Sequence, residues 1–176
     1  MSKLNLSTRL FAGAIVYFAE EATGTSDVAT KPASNSALWK EVGSVQSLVH
    51  NPDVQEEKFS ECGANGWRNM KDTFTLADIY ELTTREVSEL YHRLDLGTSA
   101  AIVAGTAQQP FASDARMVQG WIKLQHRMHT GTDRMLLDMF CEVRIKKAPA
   151  IEKKTPEPVL ELWVVASSLN SMVIPS

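Results

Sequence analysis

The clearest pattern in the chain is an alternation of apolar and polar positions from Arg134 to Lys147, RMLLDMFCEVRIKK. Met135, Leu137, Met139, Cys141, Val143 and Ile145 fall on one face. Arg134, Asp138, Glu142, Arg144 and Lys146 fall on the other, with Leu136 and Phe140 as apolar exceptions among them. A period of two places alternate side chains on opposite faces of a strand, so the segment predicts a half-buried β-strand. Val118–Met128 alternates as well, and residues 129–133 (HTGTD) supply a turn, which predicts a hairpin. About twelve residues at ~3.3 Å each make a strand of roughly 40 Å, where the usual strand has about 5–6 residues. A hairpin of this length needs something to cover its apolar face and its edges.

The same reading predicts further strands over Phe11–Ala19, Leu38–His50, Val54–Glu61 (short and exposed), Lys71–Thr83 and Val159–Ser167. Gly43 interrupts the second of these and suggests a bulge or bend. Residues 63–66 read as a turn. One helix is expected over about residues 84–96. Thr83 and Glu86 give a T-x-x-E capping box, Val87, Leu90, Tyr91 and Leu94 make an apolar stripe, and Gly97 suits a left-handed C-terminal position. Residues 1–9 read as a polar arm, 20–37 as a long loop, 146–158 as a charged connector with prolines, and 168–176 as a tail with apolar residues that must dock somewhere. Residues 97–116 leave room for one short strand. With about seven strands and a single helix, the expected fold is mainly β: one domain, an antiparallel sandwich or barrel with one flanking helix.

Composition fits a globular domain of 176 residues, 44% apolar and 22% charged. A chain this long can bury ~70% of its unfolded surface without staples. A net charge of −3 argues against a dedicated nucleic-acid binder. Two cysteines, Cys62 and Cys141, are too few for a disulfide-built secreted domain and read as reduced thiols. The apolar run of residues 10–19 superficially resembles the core of a signal peptide, but Glu20 and Glu21 follow it without a clean cleavage pattern. It is read as a buried strand, and the chain as soluble and made in a cytoplasm.

Candidate chemistry adds little. His126 and His129 make an H-x-x-H pair with Asp133 nearby, yet positions three apart on a strand face opposite sides, and no H-E-x-x-H is present. No nucleophile elbow, P-loop or G-x-G-x-x-G occurs. Glu56, Glu57 and Glu61 read as a solvated charge run. The basic residues Lys123, Arg127, Arg134 and Arg144 are mixed with Asp138 and Glu142 and lack the interleaved aromatics of a nucleic-acid groove. The expectation is no enzyme, no catalytic residue, no cofactor and no metal.

The order of elements resembles that of the bacteriophage major tail tube proteins of the long-tailed phages. The resemblance spans about residues 10–170 and is carried by Leu38-Trp-Lys-Glu-Val-Gly43 after a polar loop, the acidic stretch of residues 56–61, and a strand running into Leu82–Leu90. Gly120-Trp-Ile-Lys-Leu124 at the long hairpin and Val159–Ser168 with Leu169 and Asn170 complete it. The resemblance implies a β-sandwich subunit whose hexameric rings stack into a hollow tube, with the inner strands of neighbours joined into a barrel around the genome. It implies as partners further copies of the chain, tail proteins such as tape measure, terminator and distal tail proteins, and phage DNA passing without sequence-specific binding. It places the protein in the virion, without a membrane anchor.

On this basis Lys123, Arg127, Arg134, Asp138, Glu142 and Arg144 are expected on the channel-wall hairpin. Thr23, Asp27, Lys31, Trp39, Trp121 and Trp163 are expected at contacts between subunits or rings. The alternatives are another ring component of a virion, such as a tail terminator, and a monomeric β-sandwich that binds a small ligand.

Overall fold

A computed structural model describes residues 14–21, 30–63, 66–97, 116–127, 133–148 and 157–172. The arm 1–9, residues 11–13 of the first expected strand, the turn 129–132, most of the region 97–116, most of the connector 146–158 and the last residues of the tail lie outside this set.

Nine strands and one helix make up the described chain. They are β1 Ile15–Glu20, β2 Lys40–His50, β3 Asp53–Gly63, β4 Gly66–Ala77, β5 Ile79–Thr84, α1 Glu89–Leu96, β6 Met117–Arg127, β7 Asp133–Lys147, β8 Val159–Val164 and β9 Ser171–Met172. The sheet order β6-β1-β2-β5-β8-β7, with β7 pairing back onto β6, closes an antiparallel barrel of six strands. β9 is an extra strand on β7, just beyond the end of β8. The remaining two strands, β3 and β4, form a sheet of their own.

The barrel interior is apolar. Val16 and Phe18 of β1, Val42, Val45 and Leu48 of β2, Leu82 of β5, Ile122 and Leu124 of β6 and Leu160 and Leu162 of β8 meet Leu137, Met139, Cys141 and Val143 of β7 in one buried cluster. The long hairpin thus covers its apolar face by curling into a barrel with the other strands. Burying each large side chain of this kind contributes ~1.5–3 kcal/mol.

Both apolar exceptions in the β7 alternation have structural reasons. The register slips between Leu124 and Gln125, which face Leu137 and Met135, so Leu136 is an extra residue in β7. That bulge lets Leu136 join the interior cluster beside Leu137. Phe140 keeps its parity and is buried on the outer face of the barrel instead, with Ala19 and Trp121.

Several expected boundaries move. The helix starts at Glu89 with Ser88 as its N-cap, and Thr83 and Thr84 belong to β5. Glu86 does not complete a capping box. Its carboxylate accepts hydrogen bonds from the Ser44 backbone N–H (2.6 Å) and from the Ser44 hydroxyl (3.0 Å), pinning the chain before α1 to β2. Gly97 does end the helix in the left-handed region. Its apolar side chains Leu90, Tyr91 and Leu94 enter the barrel core, and the Arg93 guanidinium grips the Glu20 carboxylate with two bonds of 2.7 and 3.0 Å. Gly43 lies at a register shift against β1, with φ of 140°, as a bend in β2 requires.

The segment expected as one strand, Lys71–Thr83, is split at Asp78 into the end of β4 and most of β5. Leu76 and Leu82 therefore do not share a buried face: Leu76 is 57% exposed and Leu82 is fully buried. What read as a short exposed strand over Val54–Glu61 is one side of a hairpin with eleven residues in β3 and twelve in β4.

Candidate interaction surfaces

Three surfaces stand out on this frame. The first is an outer cluster on the middle of β6 and β7, covered by residues 30–39. Ala19, Trp121 and Phe140 are buried there, with Trp39 and Val165 against them. The Trp121 and Phe140 rings tilt against each other at 5.6 Å, an arrangement worth ~0.5–1.5 kcal/mol beyond burial.

Two lysines complete this cluster. Lys123 is 3% exposed, and its ammonium donates to the Ser34 carbonyl (2.9 Å) while lying 4.4 Å from the Trp39 ring centre and 5.1 Å from that of Tyr17. Lys31 pairs with Asp138 at 2.5 Å and lies over the Trp121 ring at 5.5 Å. Asp138 is 3% exposed, and its second oxygen finds no hydrogen-bond partner among the described residues. Covering residues are themselves organised: Trp39 Nε1 donates to the Ala33 carbonyl (2.9 Å), and the Ser36 N–H donates to the same oxygen (2.9 Å).

Five residues expected at two different surfaces, Lys31, Trp39, Trp121, Lys123 and Asp138, are thus brought together inside one chain. Lys123 and Asp138 belong to the mixed-charge face expected on the hairpin. That face is not open at its centre, because the polar loop before β2 lies across it. Thr23 and Asp27, in the earlier part of that loop, lie outside the described residues. Arg127 and Arg134 occupy paired ends of β6 and β7, opposite Asp133 and His126.

A second surface is the outer face of β5, β8 and the C-terminal part of β7. Glu142 binds Arg144, whose Nε donates to it at 2.6 Å, and the Arg144 guanidinium lies 4.7 Å from the Trp163 ring centre. Trp163 Nε1 donates to Glu161 (2.8 Å). Lys146 bonds Glu81, which also accepts from Asn51 at 2.6 Å. These bonds from Lys146 and Asn51 outweigh partial desolvation and hold the Glu81 carboxyl below its ordinary range, while Glu81 in turn raises Lys146. Glu142, Arg144 and Trp163, expected at two surfaces, are neighbours here. The charges compensate one another, so this face offers a balanced surface rather than a focused field.

The third surface is the β3–β4 arm, which the sequence reading did not recognise as a unit. It leaves the barrel between His50 and Ile79. At its base the Asn51 N–H donates to the Ile79 carbonyl (2.8 Å), and His50 lies 3.1 Å from Asp78 and stacks on Tyr80 at 4.5 Å. Residues 53–60 are all exposed, including Val54 (44%) and Phe59 (40%). Eleven residues at ~3.3 Å make an arm about 36 Å long. Within it Glu57 is paired with Asp72 and Lys58 with Lys71, both like-charged and both unfavourable when directly opposite. Lys71 also forms an ion pair with Glu56, at 2.5 Å. A two-stranded hairpin on its own is marginally stable in water. The signal for it in the sequence was the pair of glycines, Gly63 and Gly66, which close the turn between two stretches of similar length.

A cleft of about 240 Å³ between α1 and the ends of β1 and β2 is lined by Phe18, Leu38, Val42, Leu90 and Arg93. Its guanidinium is already held by Glu20. Among the described residues no helix is long and apolar enough to cross a membrane. Comparison with protein-family models, with curated proteins and with solved structures finds no match to this chain.

Proposed function

We propose that this chain is a structural subunit that acts by self-assembly, in the manner of a phage tail tube protein whose stacked hexameric rings form a conduit for DNA. The observation that carries the reading is the β3–β4 arm. Its residues 53–60 are all exposed, it pairs with no barrel strand among the described residues, and its like-charged pairs work against it. Such a ribbon gains most from a neighbour. The barrel supports the same reading from the other side, because its interior is filled by the apolar cluster rather than shaped around a small ligand. A monomeric ligand-binding barrel is therefore the less favoured reading. In the tube reading no residue is catalytic, and the partners are copies of the chain, other tail proteins and DNA that slides past without base recognition.

Negative-stain microscopy of the purified protein over a range of concentrations tests the proposal. Long hollow tubes or stacked rings are expected. Rings that never stack point to a terminator-like component, and a protein that stays monomeric at high concentration overturns the reading.

A further inference from the structure

The arm has two bare edges, and they differ in charge. β3 carries Asp53, Glu56, Glu57 and Glu61 against the single Lys58, whereas β4 carries Arg68 and Lys71 against the single Asp72. Each edge is a row of backbone N–H and C=O groups with no strand beside it among the described residues. A bare edge of this length is a template for strand addition.

We propose that the β3 edge of one arm pairs with the β4 edge of the arm on a second copy of this chain. This rests on the assembly reading above and specifies its contact. Arms that point the same way bring β3 of one copy and β4 of the next together antiparallel, since the two strands of a hairpin run in opposite directions. The acidic edge then meets the basic one. Pairing β3 with β3 would set four carboxylates against four, and pairing β4 with β4 would set two cations against two. Edge-to-edge contact of unlike strands is heterologous, so a row of copies keeps one free β3 edge at one end and one free β4 edge at the other until a ring closes.

Two charge-exchange variants test the pairing by sedimentation velocity and microscopy beside the wild-type chain. Glu57→Lys with Glu61→Lys makes the β3 edge basic. Arg68→Glu with Lys71→Glu makes the β4 edge acidic. Each variant alone sets like charge against like, and at least a tenfold loss of assembled protein is expected. An equimolar mixture restores assembly, because the basic β3 of one variant meets the acidic β4 of the other, while the unaltered edges also match. Rescue shows at the same time that both variants fold. If the β4 variant alone assembles like wild type, pairing is β3 to β3; if the β3 variant alone does so, pairing is β4 to β4. Either result, or a mixture that stays unassembled, overturns the proposal while leaving the assembly reading in place. A wild-type chain that does not assemble at all overturns both.

Discussion

The ammonium of Lys123 lies 4.4 Å from the centre of the Trp39 ring, and this contact fixes the loop before β2 to the middle of β6. A buried charge tolerates such a site only when it is paired and hydrogen-bonded. Here the Ser34 carbonyl and the two ring faces meet that requirement.

Lys123→Ala removes a charged hydrogen bond, the cation–π contact and the packing of the stem together. A loss of about 2–4 kcal/mol in unfolding free energy is expected from urea titration. Lys123→Met keeps the stem and should cost less, about 1–2 kcal/mol. A change below ~0.5 kcal/mol for both would mean that residues 30–39 do not hold the outer cluster.

Gly120 faces Cys141 across the hairpin and lies against β1. A Cβ there would come 2.3 Å from the Ala19 carbonyl oxygen and 2.6 Å from the Phe18 ring. Neither can yield easily, since one is backbone and the other is a ring buried in the barrel core. Gly120→Ala is expected to cost more than ~3 kcal/mol or to prevent folding. Near-native circular dichroism and an unchanged urea midpoint would refute this contact between β1 and β6.

The barrel was legible where one face of a strand is buried and the other is open. The alternation of β6 and β7 and the apolar stripe of α1 follow from that asymmetry. The bulge at Leu136 and the outer burial of Phe140 were visible only as exceptions, because alternation does not report a slipped register or a second layer. Burial of Lys123 and Asp138 was hidden for a related reason. Charged residues on a strand face read as solvated unless a distant segment covers them, and residues 30–39 show no periodicity that would reveal their docking. The arm was missed because a ribbon exposed on both faces lacks the contrast that marks a half-buried strand. Of the candidate site, the residue types were found in the sequence; their grouping came from the sheet order and from the loop crossing it.

The two cysteines differ in environment. Cys62 is exposed near the tip of the arm, and Cys141 is buried in the barrel, where desolvation above all raises its thiol pKa. A thiol reagent at neutral pH should therefore modify one cysteine rapidly and the second only after denaturant is added. In the assembled protein Cys62 should react more slowly than in the free subunit, because the proposed contact covers the arm. Two rapidly reacting thiols in the native subunit would contradict the closed barrel.

Alkaline pH probes the junction of α1 with the barrel. Tyr91 is fully buried, its hydroxyl lies 2.7 Å from that of Thr84, and burial is the main cause pushing its pKa well above the ordinary 10. In the unfolded chain Tyr91 ionises near ~10, and in the folded chain it stays protonated. Below pH ~10 both states hold the proton and the contribution is complete. As pH rises further the unfolded state releases a proton that the folded state keeps, so stability falls. Cys141 follows the same sign from a lower starting pH, and half-buried Tyr80 is also raised, by burial and by Asp78. Comparison with Tyr91→Phe isolates one group from the others. The variant should be less stable by about 1 kcal/mol at neutral pH, because it loses the Thr84 bond. The wild-type advantage should then shrink by about 1.4 kcal/mol between pH 9 and pH 11, as measured from urea midpoints of tryptophan fluorescence. A difference that stays constant across this range would show that Tyr91 ionises in the folded protein, and hence that α1 does not seal it from water.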